Sequence, residues 1–204
     1  MAWRVVVLDA LPDEPWRNGG GRTRTIAVQP RDTGEPPWDW RISVATIEQS
    51  APFSAFPGVD RASVLLGAGC LELGADGEPT VRLHQPGDAA VYRGDARWQA
   101  EVHRVGPPLS LLNVMTRRGA ATARLQTVRE DTTLSGQALA VLVVEGHWRV
   151  IEPTDTGGCP GDTWLLSAGH GAVREARPTR AIASGRIERL SKGGWLAAVT
   201  IHLG

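Results

Sequence analysis

The chain holds 204 residues, 42% hydrophobic and 22% charged, enough to bury a sizeable core as one large all-β domain or two smaller ones. Lys+Arg and Asp+Glu stand at 22 each, so no net field draws it to nucleic acid or an anionic membrane, and neither is expected as a partner. Met1–Trp16 lacks a basic segment followed by a long apolar run, and no apolar stretch nears the roughly 18 residues of a membrane span, so the chain reads as cytoplasmic.

In chain order the predicted strands are Trp3–Leu8, Arg24–Val28, Trp40–Ile47, Ser63–Leu66, Cys70–Leu73, Val81–Leu83, Ala89–Tyr92, Leu109–Thr116, Ala138–Val144, His147–Ile151, Thr163–Leu166 and Trp195–His202. Trp98–Val102 is a further strand of the N-terminal half. Turn residues, drawn from 24 glycines and 14 prolines, separate nearly all of them at the short spacing of a sandwich or barrel. No window keeps a helical period over about ten residues; Arg129–Gln137 has room for one helical turn. Cys70 and Cys159 are too few for a disulfide framework; their pairing cannot be read from sequence, and buried free thiols are expected.

An internal repeat sharpens this reading. VLLGAGCLEL (Val64–Leu73) matches VLVVEGHWRV (Val141–Val150) as strand, glycine turn, strand, and each hairpin is followed by the same tripeptide. Pro86-Gly87-Asp88 leads into AAVY and Pro160-Gly161-Asp162 into TWLL, turn chemistry that delivers the chain into a strand. The duplication resembles the double-stranded β-helix of the cupin superfamily. It implies an all-β double cupin: an N-terminal barrel over residues 1–118 with the ligand pocket, and a C-terminal, structural barrel over 119–204.

Typical cupins hold a divalent ion with His-x-His, a glutamate and a later histidine. Here the five histidines, His84, His103, His147, His170 and His202, are scattered, and no two sit at the i, i+2 spacing that aims both rings to one face of a strand. No metal and no cofactor are therefore expected, a site assembled from dispersed residues being the alternative. His103 is singled out because it directly follows the strand Trp98–Val102.

The most informative stretches are PWRNGGGRTRTIAV from Pro15, WDWRISVATIEQSAPFSAFPGVDRASVLLGAG from Trp38, and LLNVMTRR ending at Arg118. In order and spacing they resemble the HutD/Ves family of bacterial proteins. The resemblance rests on Trp16 to Gly21 with Thr23 and Arg24, Trp40 to Ala45, Pro52-Phe53-Ser54, Phe56 to Arg61 and Asn113 to Arg118, roughly residues 15–118. It implies a double cupin, genes that accompany histidine utilisation, and a regulatory or ligand-binding role without an established reaction.

Alternation along Trp40–Ala45 puts Arg41, Ser43 and Ala45 on one side and Trp40, Ile42 and Val44 on the other. Along Leu111–Arg118 it groups Asn113, Met115 and Arg117. Pointing inward, Arg41, Ser43, Asn113 and Arg117 form a polar floor whose guanidinium fork and amide suit a small carboxylate. The glycine loop would close the mouth by offering unobstructed backbone N–H groups, with Asn18 adding another polar atom. Asn-Gly is equally a hairpin-turn signal, and the run then serves positive φ angles. The expected ligand-binding set is Trp16, Asn18, Gly19, Gly20, Thr23, Arg41, Ser43, Asp60, Arg61, His103, Asn113, Met115 and Arg117. Asp60 and Arg61 are alternatively an ion pair that fixes their loop.

The leading functional expectation is a metal-free binder of a small carboxylate, acting as a sensor or modulator; the family resemblance implies urocanate or a formylated or formiminated glutamate. An enzyme on such a carboxylate is the alternative, with His103, Asp60 and Glu101 as its available acids and bases. The third is an interaction cupin, pairing into a homodimer through exposed strand edges.

Overall fold

The computed structural model describes residues 3–104, 106–152, 161–175 and 181–204. Cys159 and Pro160 lie outside the described residues. Among those described there is no α-helix, hence none long and apolar enough to cross a membrane, and a single 3-10 turn at Leu8–Ala10. The strands, all in antiparallel ladders where their registers are defined, are β1 (Arg4–Val7), β2 (Glu14–Pro15), β3 (Gly21–Pro30), β4 (Trp38–Ile47), β5 (Ala51–Pro52), β6 (Val59–Leu65), β7 (Cys70–Gly74), β8 (Val81–Leu83), β9 (Ala89–Arg93), β10 (Gln99–His103), β11 (Leu109–Arg117), β12 (Ala121–Val128), β13 (Thr132–Gly136), β14 (Ala138–Glu145), β15 (His147–Ile151), β16 (Thr163–Ser167), β17 (His170–Arg174), β18 (Ala183–Arg189) and β19 (Trp195–Leu203). The chain divides into two compact units. One takes Pro12–Ala123 with Gly204; the other takes the residues up to Leu11 and Arg124–Leu203.

The Pro12–Ala123 unit is a sandwich of a six-stranded sheet, β2-β3-β4-β11-β6-β9, and a four-stranded one, β5-β10-β7-β8. Alternation sends Ala45, Ile47, Leu65, Leu109 and Leu111 of the first against Leu71, Leu73, Leu83 and Ala100 of the second, with Trp98 and Tyr92 between them. The other unit pairs β1-β17-β14-β19-β12 with β13-β18-β15-β16 around Trp3, Leu139, Val141, Val143, Trp148, Val150, Ile187, Leu196 and Ala198. The strand order β4-β11-β6-β9 over β5-β10-β7-β8 is repeated as β12-β19-β14-β17 over β13-β18-β15-β16. No closed barrel forms among the described residues; each unit is two sheets face to face.

The repeat is real in topology but differs from its sequence reading in two respects. The matched segments are not hairpins: β6 pairs with β9 and β11 while β7 pairs with β8 and β10, and likewise β14 and β15 sit in different sheets. Each glycine turn therefore carries the chain across the sandwich. The Pro-Gly-Asp tripeptides do not mark equivalent places either, since the first leads into β9 of the larger sheet and Gly161-Asp162 lead into β16 of a smaller one. The tripeptide reports generic turn chemistry and not ancestry. Arg129–Gln137 is no helical turn: it contains β13, where buried Leu134 and Gly136 alternate with exposed Thr133 and Ser135, period two against β18.

A charged clamp holds the turn between β5 and β6. Asp95 accepts a hydrogen bond from Gly58 N (2.9 Å) and two from Arg118 Nη2 (2.6 and 2.7 Å), while Arg118 Nη1 donates to Asp60 Oδ1 (2.7 Å) and Val59 O (3.1 Å). The Arg118 guanidinium, then the Gly58 amide, hold the Asp95 carboxyl well below the usual carboxylate range. A group whose acidity rises on folding stabilises fully above its unfolded value, near 4, and loses that contribution as pH falls through the lower folded value. Asp95→Asn is accordingly expected to melt below wild type at neutral pH, with the gap narrowing steadily as the pH is taken below about 4. A gap that stays constant down through that range in thermal melts would remove the clamp from the account.

Candidate functional site

The inner face of β4, β11 and β6 changes character along its length. One row across the three strands is Ala45, Leu111 and Leu65; the next is Ser43, Asn113 and Ser63; the next is Arg41, Met115 and Arg61. The corresponding rows of β14 and β19 in the other unit are Val143–Leu196, Val141–Ala198 and Leu139–Thr200, apolar apart from the Thr200 hydroxyl. In the Pro12–Ala123 unit the polar rows instead border a cavity of about 710 Å³, within the range of small-molecule sites.

Eight residues of the expected set line this cavity: Trp16, Asn18, Thr23, Arg41, Ser43, Arg61, Asn113 and Met115. Arg61 is the most buried of the charged residues that line it, beside Glu14, Arg17, Glu35 and Arg41. The residue is only 5% exposed, its guanidinium lies 5.1 Å from the Phe53 ring centroid and 5.4 Å from that of Tyr92, and among the described residues its one hydrogen bond is a long one from Nη1 to Ser54 O (3.5 Å). Nε has no partner, and no carboxylate pairs with Arg61 among the described residues. Burying a lone charge costs several kcal/mol, and two cation–π contacts at about 0.5–2 kcal/mol each offset part of that. An anion in the cavity would supply the rest.

Asn113 is aimed by a chain of hydrogen bonds. Tyr92 OH and Ser63 Oγ lie 2.9 Å apart, and Ser63 Oγ donates to Asn113 Oδ1 (2.6 Å). With its oxygen occupied, the amide has its Nδ2 donor left, unpartnered among the described residues, beside Ser43, 3% exposed on the neighbouring strand. Arg41 is more engaged: it donates to Thr25 Oγ1 (2.6 and 3.2 Å) and to Glu14 Oε2 (3.3 Å). Trp16 meets Phe53 edge-on at 5.6 Å and donates from Nε1 to Thr23 Oγ1 (2.8 Å).

The glycine run is a hairpin turn between β2 and β3, and it does not present a cradle of free amides. Gly19 N donates to Trp16 O (3.0 Å) and Gly20 N to Asn18 Oδ1 (3.0 Å), while Asn18 Nδ2 donates to Pro52 O (2.9 Å). Each glycine has its own reason. Gly19 holds φ at +69°, whereas a Cβ on Gly20 would run into that of Ala51 and one on Gly21 into the carbonyl oxygen of Thr46. Gly21→Ala is expected to cost at least about 1–3 kcal/mol, because its obstacle is backbone in the β3–β4 ladder. A denaturant midpoint unchanged from wild type would contradict this.

Five expected residues lie elsewhere. Gly19 and Gly20 shape the turn without lining the cavity. Asp60 sits one residue from Arg61 and so points to the other face, where it pairs with Arg118 and not with Arg61. Arg117 lies one row beyond Met115 and donates to Asp39 Oδ1 (3.0 and 2.8 Å). His103 ends β10 in the smaller sheet, exposed, with Glu101 on the same face. The lining residues that sequence reasoning passed over include Phe53, Ser54 and Phe56, together with Glu14, Arg17 and Glu35. Rarity was the available signal: the chain has two phenylalanines and one tyrosine, and all three gather around or behind this cavity.

A family model described as HutD matches residues 9–187. The chain belongs to the HutD family. Among HutD relatives, Protein Ves of Citrobacter koseri is 34% identical over 155 residues, covering 73% of this chain and 78% of that protein. An uncharacterized 21.2 kDa protein in the hutC 3′ region of Pseudomonas putida is 34% identical over 134 residues, covering 65% and 67%. The structure of HutD from Pseudomonas fluorescens, in a formate condition, superposes with a TM-score of 0.77 at 24% identity over the whole of both chains. A cupin 2 conserved barrel domain protein from Leptotrichia buccalis matches at a TM-score of 0.56 and 10% identity over 97% of this chain and 95% of that one, which gives the HutD fold here its cupin-like character.

Proposed function

We propose that this chain binds a small carboxylate metabolite in the Pro12–Ala123 cavity and acts, without turnover, as a sensor or modulator of histidine utilisation in the cytoplasm. The observation that carries the reading is Arg61, a buried guanidinium with no counter-ion among the described residues, bordering a cavity beside an unpartnered amide donor. Its bidentate fork matches a carboxylate, and Asn113 Nδ2 and the Ser43 hydroxyl add neutral donors nearby. The guanidinium and amide donors of the lining support recognition of a carboxylate through hydrogen bonds. None of the acids and bases named for an enzyme, His103, Asp60 and Glu101, borders the cavity. We read the two matched sandwiches as the flattened barrels of a double cupin, the first hollow and ligand-binding, the second filled and structural.

Membership of HutD and the hutC-adjacent relative in Pseudomonas putida support acids of histidine breakdown as the class to try first, and the formate condition of the Pseudomonas fluorescens structure adds formate as the smallest probe. Thermal-shift screening with urocanate, formyl- and formimino-glutamate and formate, with and without chelator, is the test. A native-state ligand raises the melting temperature by mass action. A shift that persists in chelator and falls in both Arg41→Ala and Asn113→Ala is expected. No shift with any of these acids, or one abolished by chelator, would overturn the reading.

A further inference from the structure

The outer face of the smaller sheet in the Pro12–Ala123 unit carries a different chemistry. Leu71, Leu73, Leu83 and Ala100 are fully buried in the core, so alternation turns Cys70, Glu72, His84, Glu101 and His103 to the opposite face. His103 stands opposite Cys70 in the β7–β10 ladder. On the other side Leu83 stands opposite Leu71, and one step further along that register brings His84 opposite Cys70. A thiol is thus flanked by two imidazoles in one row, with a carboxylate two residues along the central strand. The ligand atoms of Cys70, Glu72 and His84 already lie within 4.8 Å of one another, with Cys70 Sγ 3.3 Å from His84 Nδ1. The turn that carries His84 is fixed by Asp88, whose carboxylate accepts from His84 N (2.9 Å) and Gln85 N (3.2 Å).

We propose that Cys70, Glu72 and His84, completed by His103, form a site for a thiolate- and imidazole-preferring divalent cation such as Zn²⁺. One sulfur, two nitrogens and one carboxylate oxygen make a tetrahedral donor set that selects zinc-like ions over magnesium or calcium. Binding sends the thiol proton to solvent as the cation takes its place. It also displaces Arg82 from Glu72, a bridge of 3.4 Å with the Arg82 side chain 55% exposed, and an exposed pair of that kind holds little. The site lies on the outer face of its sheet and shares no residue with the carboxylate cavity, so it stands or falls independently of the function proposed above.

Titration of the full chain with Co²⁺ tests it. A thiolate-to-cobalt charge-transfer band and tetrahedral visible bands are expected to saturate at one equivalent and to be erased by Zn²⁺. They are expected to persist in Cys159→Ser, vanish in Cys70→Ser and His84→Ala, and lose tetrahedral intensity in His103→Ala. Thermal melts of the metal-free variants at the wild-type midpoint separate ligand loss from misfolding, and His84→Gln replaces any variant that fails this check. Absence of the bands in wild type, their survival in Cys70→Ser, or their loss in Cys159→Ser would overturn the site; an unchanged His103→Ala spectrum would overturn the four-ligand set.

Discussion

Arg61→Met is expected to weaken carboxylate binding at least about 30-fold while raising the melting temperature of the unliganded protein. The two effects share one cause. In wild type the guanidinium is 5% exposed and held between the Phe53 and Tyr92 rings without a counter-ion among the described residues. Replacing it by an apolar side chain of similar reach keeps the packing and removes an uncompensated buried charge, a change that stabilises. An anion bound as proposed would, however, lose its charge partner. Truncating one side of a buried hydrogen-bonded charge pair costs about 2–5 kcal/mol, which is on the order of 30- to 4,000-fold in Kd. Arg61→Lys should recover only part of this, because an ammonium lacks the planar fork that stacks between rings and grips both carboxylate oxygens. Calorimetric titration beside thermal melts decides it. A variant less stable than wild type that still binds with wild-type affinity would make Arg61 a packing residue and nothing more.

Trp98→Ala carries the largest expected loss of stability. The indole is 1% exposed, donates from Nε1 to Arg93 O (2.7 Å) and meets Tyr92 edge-on at 5.2 Å. Removing a side chain of that size from a close-packed interior costs about 3–5 kcal/mol, a large share of what a domain this small has to lose. The damage should also reach the cavity. Tyr92 is the ring beside the Arg61 guanidinium and the start of the chain through Ser63 to Asn113, so freeing it should disorder both of these side chains. Trp98→Phe keeps the aromatic contact and loses the hydrogen bond, and should cost less in both respects. Denaturant midpoints and ligand affinity measured on the two variants should fall in the same order; affinity untouched in Trp98→Ala would break the proposed link between core and site.

The strands most legible in the sequence were those built from β-branched and apolar runs between turn residues, such as β4, β11 and β14. β18 escaped because its inward positions are Ala183, Gly185 and Ile187, and small residues hide a period of two; Gly185 is small because a Cβ there would meet the Trp3 ring. β12 escaped as an edge strand whose interior positions are only half-buried. Alternation along single strands placed Arg41, Ser43, Asn113 and Met115 on one face, and these do border the cavity. Which strand lies beside which is a tertiary fact, and that is where the reading ran out. Only the pairing of β6 with β11 decides that Arg61 faces inward and Asp60 outward, and only the crossover from β9 to β10 sends His103 to the other sheet.

The first strand and its partner sit at opposite ends of the chain, Arg4 beside Val173. A ribosome delivers them in that order, and the interval matters for how the protein comes into being. All strands of the hollow sandwich are encoded in one uninterrupted stretch, Pro12–Ala123, so it can close while the rest is still being made. β1 must meanwhile wait, an unpaired valine-rich edge, until β17 emerges to receive it. The strands that border the cavity are thus all made before the second half of the chain exists, and the vulnerable moment in biosynthesis belongs to the N-terminal strand.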